Sequence, residues 1–147
     1  MTTLSPQSPQ SPQSHSHMQI IKFFLQFQSC VKFYHWNTKI YVRHVASDKL
    51  YASLNTLGDK FIEVYMGKYG SHGKTKTNTN AKANANANAI EIFQLDDKSI
   101  IIYLDTCLAF IREDIYKLIK KTDDDLKSIL DEISAEICQT KYLFEMH

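Results

Sequence analysis

From residue 18 to residue 38 the apolar positions Ile20, Ile21, Phe24, Phe27, Val31 and Tyr34 recur at three- and four-residue steps, with Lys22, Gln26, Ser29 and Lys32 on a wetter side. That period predicts an amphipathic helix, A. Phe23 and Phe33 widen its apolar surface, so helix A is expected to be covered on more than one side. His35 follows Val31 by one turn and falls on the buried flank near the helix end. A turn is expected at Lys39, Ile40 and Tyr41, and then helix B over about residues 42–66. Helix B should bury Tyr51, Leu54, Gly58, Phe61 and Tyr65 and leave Lys49 and Lys60 in water; Gly67, Gly70 and Gly73 supply its C-cap and turn. Residues 90–98 alternate like a strand but have no partner strand, so extended chain or the first turn of helix C is expected. Helix C, about residues 99–120, turns Ile101, Leu104, Leu108, Ile111, Ile115 and Leu118 inwards, with Lys117, Lys120 and Lys121 at the negative end of its dipole. Thr122 or Asp123 caps helix D, which carries Asp124 and Asp125 in its first turn and Leu126, Ile129, Leu130, Ile133, Ile137 and Leu143 on its inner face.

Two stretches fall outside this periodicity. Ser5-Pro6-Gln7 repeats as Ser8-Pro9-Gln10 and Ser11-Pro12-Gln13 before Ser14-His15-Ser16-His17. With almost nothing to bury, residues 1–17 are expected to form a disordered tail in which His15 and His17 are solvated. Residues 74–89 alternate small and polar side chains, and asparagine and threonine work against helix, so about 70–90 is expected to be a flexible linker. The fold class is therefore all-α: one bundle over residues 18–147, with a long low-complexity connection between helices B and C.

Composition narrows the function. A chain of 147 residues suits a single domain with a real core. Its 17 basic and 16 acidic residues leave a net charge of +1, too little to hold nucleic acid by charge alone. Cys30, Cys107 and Cys138 cannot all pair within the chain and match no zinc spacing, so buried free thiols are expected. The N-terminus carries no secretory pattern, and the apolar run over 100–111 is too short to span a bilayer and contains Asp105. A soluble, intracellular protein without membrane contact is expected.

The chemistry concentrates on helix B. With His44 at zero, Asp48 falls at about 40°, Asp59 at about 60° and Glu63 at about 100° around the axis. One imidazole and three carboxylates thus share an arc at the edge of the apolar face. Asp59 and Glu63 are like charges one turn apart and repel; a divalent cation turns that repulsion into binding, and such ions favour carboxylate with imidazole. On an unbroken helix His35 and His44 would face opposite ways, about 180° apart, so only the A-to-B turn lets them meet. Asp48 and Glu63 are separated by about 22 Å of helix rise, so one helix cannot supply all the ligands of one ion. Two antiparallel B helices can. The plainer reading is an acidic helix edge paired with lysines, a hydrogen-bonded core His35 and a core Trp36.

Phe33-Tyr34-His35-Trp36-Asn37, followed by His44, Asp48, Asp59 and Glu63, resembles the ferroxidase signature of the Dps-type mini-ferritins, or of a divergent viral and phage branch of the ferritin-like fold. The motif covers residues 18–66, and residues 99–144 are similar in pattern only. The resemblance implies a ferritin-like four-helix bundle with a long B-to-C crossover, antiparallel neighbours joined by short turns agreeing with that plan. It implies an iron-binding protein that oxidises Fe(II) with peroxide or dioxygen, acting as a homodimer or larger homo-oligomer. Its metal ligands would be His35, His44 and Asp48 from one subunit and Asp59 and Glu63 from a two-fold mate. The connection between helices A and B is shorter than the family's and lacks its glycine and proline. DNA-compacting members have lysine-rich tails; this tail has no lysine or arginine, and Lys68, Lys74, Lys76 and Lys82 offer DNA only weak, salt-sensitive contact. The competing expectation is a non-catalytic helical structural or interaction protein, a viral accessory or particle protein that has lost metal binding.

Overall fold

A computed structural model describes residues 12–70 and 89–146, with side chains from His17 onward. The rest of the expected tail (residues 1–11) and the low-complexity tract over 71–88 lie outside the described residues. Among the described residues every regular element is a helix, and there is no strand. Helix α1 runs over Pro12–Asn37 and α2 over Tyr41–Tyr69. Helix α3 begins as Ser99–Ala109, widens into a π-helical stretch over Phe110–Ile115 and closes with Tyr116–Leu118. Helix α4 is Asp124–Phe144. All four contribute to one core.

The period in α1 buries Ile20, Phe24, Phe27, Val31 and Tyr34 as the spacing requires. The helix starts six residues before residue 18, however, and His17 is not a solvated tail residue. It is 3 % exposed, its Nε2 lies 2.7 Å from the Gly70 carbonyl and its ring meets Tyr65 edge-on at 4.8 Å. In α2 the buried face holds Leu50, Leu54, Gly58, Phe61 and Tyr65, while Tyr51 is only half-buried. Gly58 sets how closely α1 and α2 approach: a Cβ there would stand 3.1 Å from Phe24 Cδ1 and 3.2 Å from Gln28 Nε2. Gly70 ends α2 with φ at 89°, a conformation that favours glycine, and its N–H reaches the Met66 carbonyl at 2.8 Å.

Residues 89–96 form no regular element, and Asp96 starts α3 by accepting the N–H groups of Lys98 and Ser99 at 3.1 and 2.7 Å. The buried stripe of α3 is Ile100, Leu104, Cys107, Ile111 and Ile115, which at the start of the helix lies one residue ahead of the expected Ile101. From Cys107 the stripe advances in four-residue steps, which drift about 40° each on an α-helix. The wider π turn absorbs that drift, and Phe110 within it stacks on Phe23 with ring centroids 4.6 Å apart. In α4, Leu126, Ile129, Leu130, Ile133 and Ile137 are buried as expected, with Phe144 rather than Leu143 at the end. Asp123 starts α4 but caps no N–H there; its carboxylate accepts from Tyr69, from the Lys120 N–H at 2.9 Å and from Lys68 at 3.4 Å, tying the end of α2 to the α3–α4 turn. Cys30 and Cys107 are buried free thiols, but Cys138 faces water. Among the described residues no helix is long and apolar enough to cross a membrane.

Candidate functional site

The turn between α1 and α2 is only Thr38, Lys39 and Ile40. Thr38 closes α1 through its N–H to the Tyr34 carbonyl at 2.9 Å and sends its hydroxyl to Asp97 at 3.0 Å. Arg43, at the start of α2, reaches the Asp97 carbonyl at 2.5 Å and the Phe144 carbonyl at 3.1 Å, so the strap before α3 and the end of α4 are pinned to this corner. The short turn is what brings His35 and His44 together.

His35 lies in the last turn of α1, where carbonyls lose their helical partners. His44 supplies one. Its Nδ1 is 2.9 Å from the His35 carbonyl, and His35 Nδ1 is 2.7 Å from the His44 carbonyl. The imidazoles stack at 3.9 Å between centroids with 18° between planes. Carbonyl oxygens only accept, so each Nδ1 must carry its hydrogen, and in the neutral ring Nε2 is left with the lone pair. Anchoring one ring nitrogen on a backbone carbonyl is how proteins commonly orient a metal-binding histidine. Ser47 donates to the His44 carbonyl at 3.1 Å and stands 3.4 Å from His35 Nδ1, bracing the clasp. His35 is buried and His44 is exposed.

Asp48, one turn beyond His44, faces the clasp: its Oδ1 is 3.8 Å from His35 Nε2 and 3.0 Å from the Lys32 ammonium. Lys32 holds the Asp48 carboxyl below the usual carboxylate range. An ion bound at about 2.1 Å from an imidazole nitrogen and a carboxylate oxygen fits between atoms separated by that 3.8 Å. An ion held by imidazole lies in the plane of the ring, and planes inclined by 18° meet only far from both nitrogens. As they stand, the stacked His35 and His44 rings do not converge on one ion.

Asp59 and Glu63 are exposed on the same edge of α2, further along the helix, and within one chain they do not join the His35–Asp48 corner. Among the described residues no group of three or more His, Cys, Asp or Glu side chains is placed to hold a metal ion. Trp36, expected in the core, is 65 % exposed, and its ring lies 5.7 Å from the Lys32 ammonium. Sequence reasoning passed over Lys32 and Ser47. The only signal for Lys32 was its place one turn before His35.

A family model described as a family of unknown function, DUF5856, matches residues 35–144. No curated protein and no solved structure matches the chain.

Proposed function

The chain belongs to the DUF5856 family, and we propose from its own residues that it is an iron-binding, ferritin-like helical bundle whose site is completed between two copies. The observation that carries this reading is the reciprocal His35–His44 clasp, which in the neutral rings leaves the lone pair on each Nε2 and sets that of His35 3.8 Å from Asp48. His35 and Asp48 would hold one ion, and His44 would face another. Ferrous iron is cargo and substrate here: peroxide or dioxygen takes its electrons, and no protein nucleophile is needed.

The outer face of α2 supports the second copy. Tyr41, Val45, Asp48, Ala52, Asn55, Asp59, Ile62 and Met66 succeed one another at alternating four- and three-residue steps, the first six exposed and the last two half-buried. That is a heptad seam beside the one already buried in the core. Laid antiparallel with Ala52 against Asn55 of the second copy, the seam sets Tyr41 against Met66 and Val45 against Ile62 of that copy. The same register sets His44 against Glu63 and Asp48 against Asp59. Apolar pairs then flank acid pairs, and facing carboxylates withdrawn from water need a cation between them.

A metal-free structural or interaction module is the alternative, supported by Lys32, which already neutralises Asp48 without an ion. Native mass, iron content and Fe(II) oxidation decide between them, with Asp59→Ala plus Glu63→Ala as the comparison. A dimer or larger assembly that binds and oxidises iron, with both properties lost in the double variant, is expected. A monomer oxidising iron no faster than the double variant would leave only the interaction module.

A further inference from the structure

Lys32 lies on α1 one turn before His35, and its ammonium contacts the same Asp48 oxygen that His35 Nε2 approaches. Its Nζ is also 4.7 Å from the centre of the Tyr51 ring and 5.7 Å from that of Trp36. The ammonium thus stands between a carboxylate and two aromatic faces, each of which attracts a cation. A divalent ion on Asp48 Oδ1 would put two positive groups on one oxygen, and the lysine, on a flexible four-carbon stem, is the one free to leave. The rings give it somewhere to go.

We propose that Lys32 is a built-in competitor for the ion site: it occupies Asp48 until a divalent cation displaces it onto Trp36 and Tyr51, and so sets the affinity and charge selectivity of the site. A free monovalent cation carries no more charge than the tethered ammonium and faces it at a high effective concentration, so it gains nothing by replacing it. A divalent ion does. This inference rests on the metal reading above, and it concerns what occupies the carboxylate before metal arrives.

Zinc is the probe, because it neither oxidises nor quenches by electron transfer. The full chain, its Lys32→Ala and Lys32→Gln variants and a Lys117→Ala control are titrated with Zn²⁺ by calorimetry, with Asp48→Ala giving the background from other sites. Both Lys32 variants should bind about tenfold tighter than the parent chain, an advantage that shrinks as salt screens the ammonium. The control should match the parent. Trp36 is the only tryptophan, so its emission should shift on Zn²⁺ binding to the parent more than to Lys32→Ala. Equal or weaker binding by both Lys32 variants overturns the competitor role and leaves the metal reading standing. Binding by none of the proteins above the Asp48→Ala background overturns both.

Discussion

Cys30 and Cys107 are buried, and the Cys30 thiol donates to the Glu91 carbonyl at 3.5 Å while its sulfur accepts the Phe93 N–H at 3.4 Å. Burial pushes the Cys107 thiol up to about 12, so almost none of it is thiolate near neutrality. Cys138 is exposed on α4. An aromatic disulfide reagent at pH 8 should therefore titrate one thiol per native chain quickly and the other two only on unfolding. Two or three fast thiols in the native protein would contradict the packing of α1 against α3. The same scale shows what a sequence conceals. Cys138 follows Ile137 in an apolar helical context, and nothing in the period tells that it lies past the buried edge. Trp36 next to a buried histidine reads as core, yet the helix ends one residue later and turns it outwards. The clasp of His35 and His44 was legible only as a possibility of position. That each ring caps the other's carbonyl depends on where α1 stops, which no side-chain pattern encodes.

Between elements, Gly58 and Asp123 carry the sharpest expectations. Alanine at 58 gains about 1 kcal/mol of helix propensity, but its methyl presses on Phe24, which is fully buried and cannot give way. Overpacking of this kind costs about 1–3 kcal/mol, so Gly58→Ala should lose about 1 kcal/mol in a denaturant melt. A stability gain would mean that α1 and α2 are less tightly apposed. Asp123 is held below its ordinary carboxylate value, first by Tyr69 and then by the Lys120 N–H. A carboxyl depressed in the fold stabilises above its unfolded value of about 3.9, and that contribution disappears as pH falls through the lower folded value. Thermal midpoints should fall on acidification below about pH 4, and less steeply in Asp123→Asn; an identical acid slope would mean that this carboxylate does not tie α2 to the α3–α4 turn. The helices themselves, their order and most of their buried faces were legible, because a 3.6-residue period with clear glycine and aspartate punctuation leaves little choice. The π stretch was not. Cys107, Ile111 and Ile115 look like an ordinary stripe, and the under-winding that keeps them aligned follows from packing against Phe23 and the rest of the core.

At the scale of the whole molecule, the candidate ligands of the proposed site fall in two separate groups along α2. His44 and Asp48 stand near the start of α2 with His35 beside them, and Asp59 and Glu63 stand further on, exposed. The sequence shows His44, Asp48, Asp59 and Glu63 as an arc on helix B, and the rise per residue makes a second copy a condition of the proposed site. Unread was the tethered lysine that keeps Asp48 neutralised in the single chain. The shared site is tested most directly by mixing two defective chains, His35→Ala plus His44→Ala and Asp59→Ala plus Glu63→Ala, and counting bound iron. Each alone should bind none at the site. Random exchange of a two-fold dimer makes half the assemblies mixed with one intact site of two, so the mixture should recover about a quarter of the parent capacity. Iron bound by the second variant alone, or no recovery in a mixture shown to contain mixed dimers, would contradict a site built between two chains.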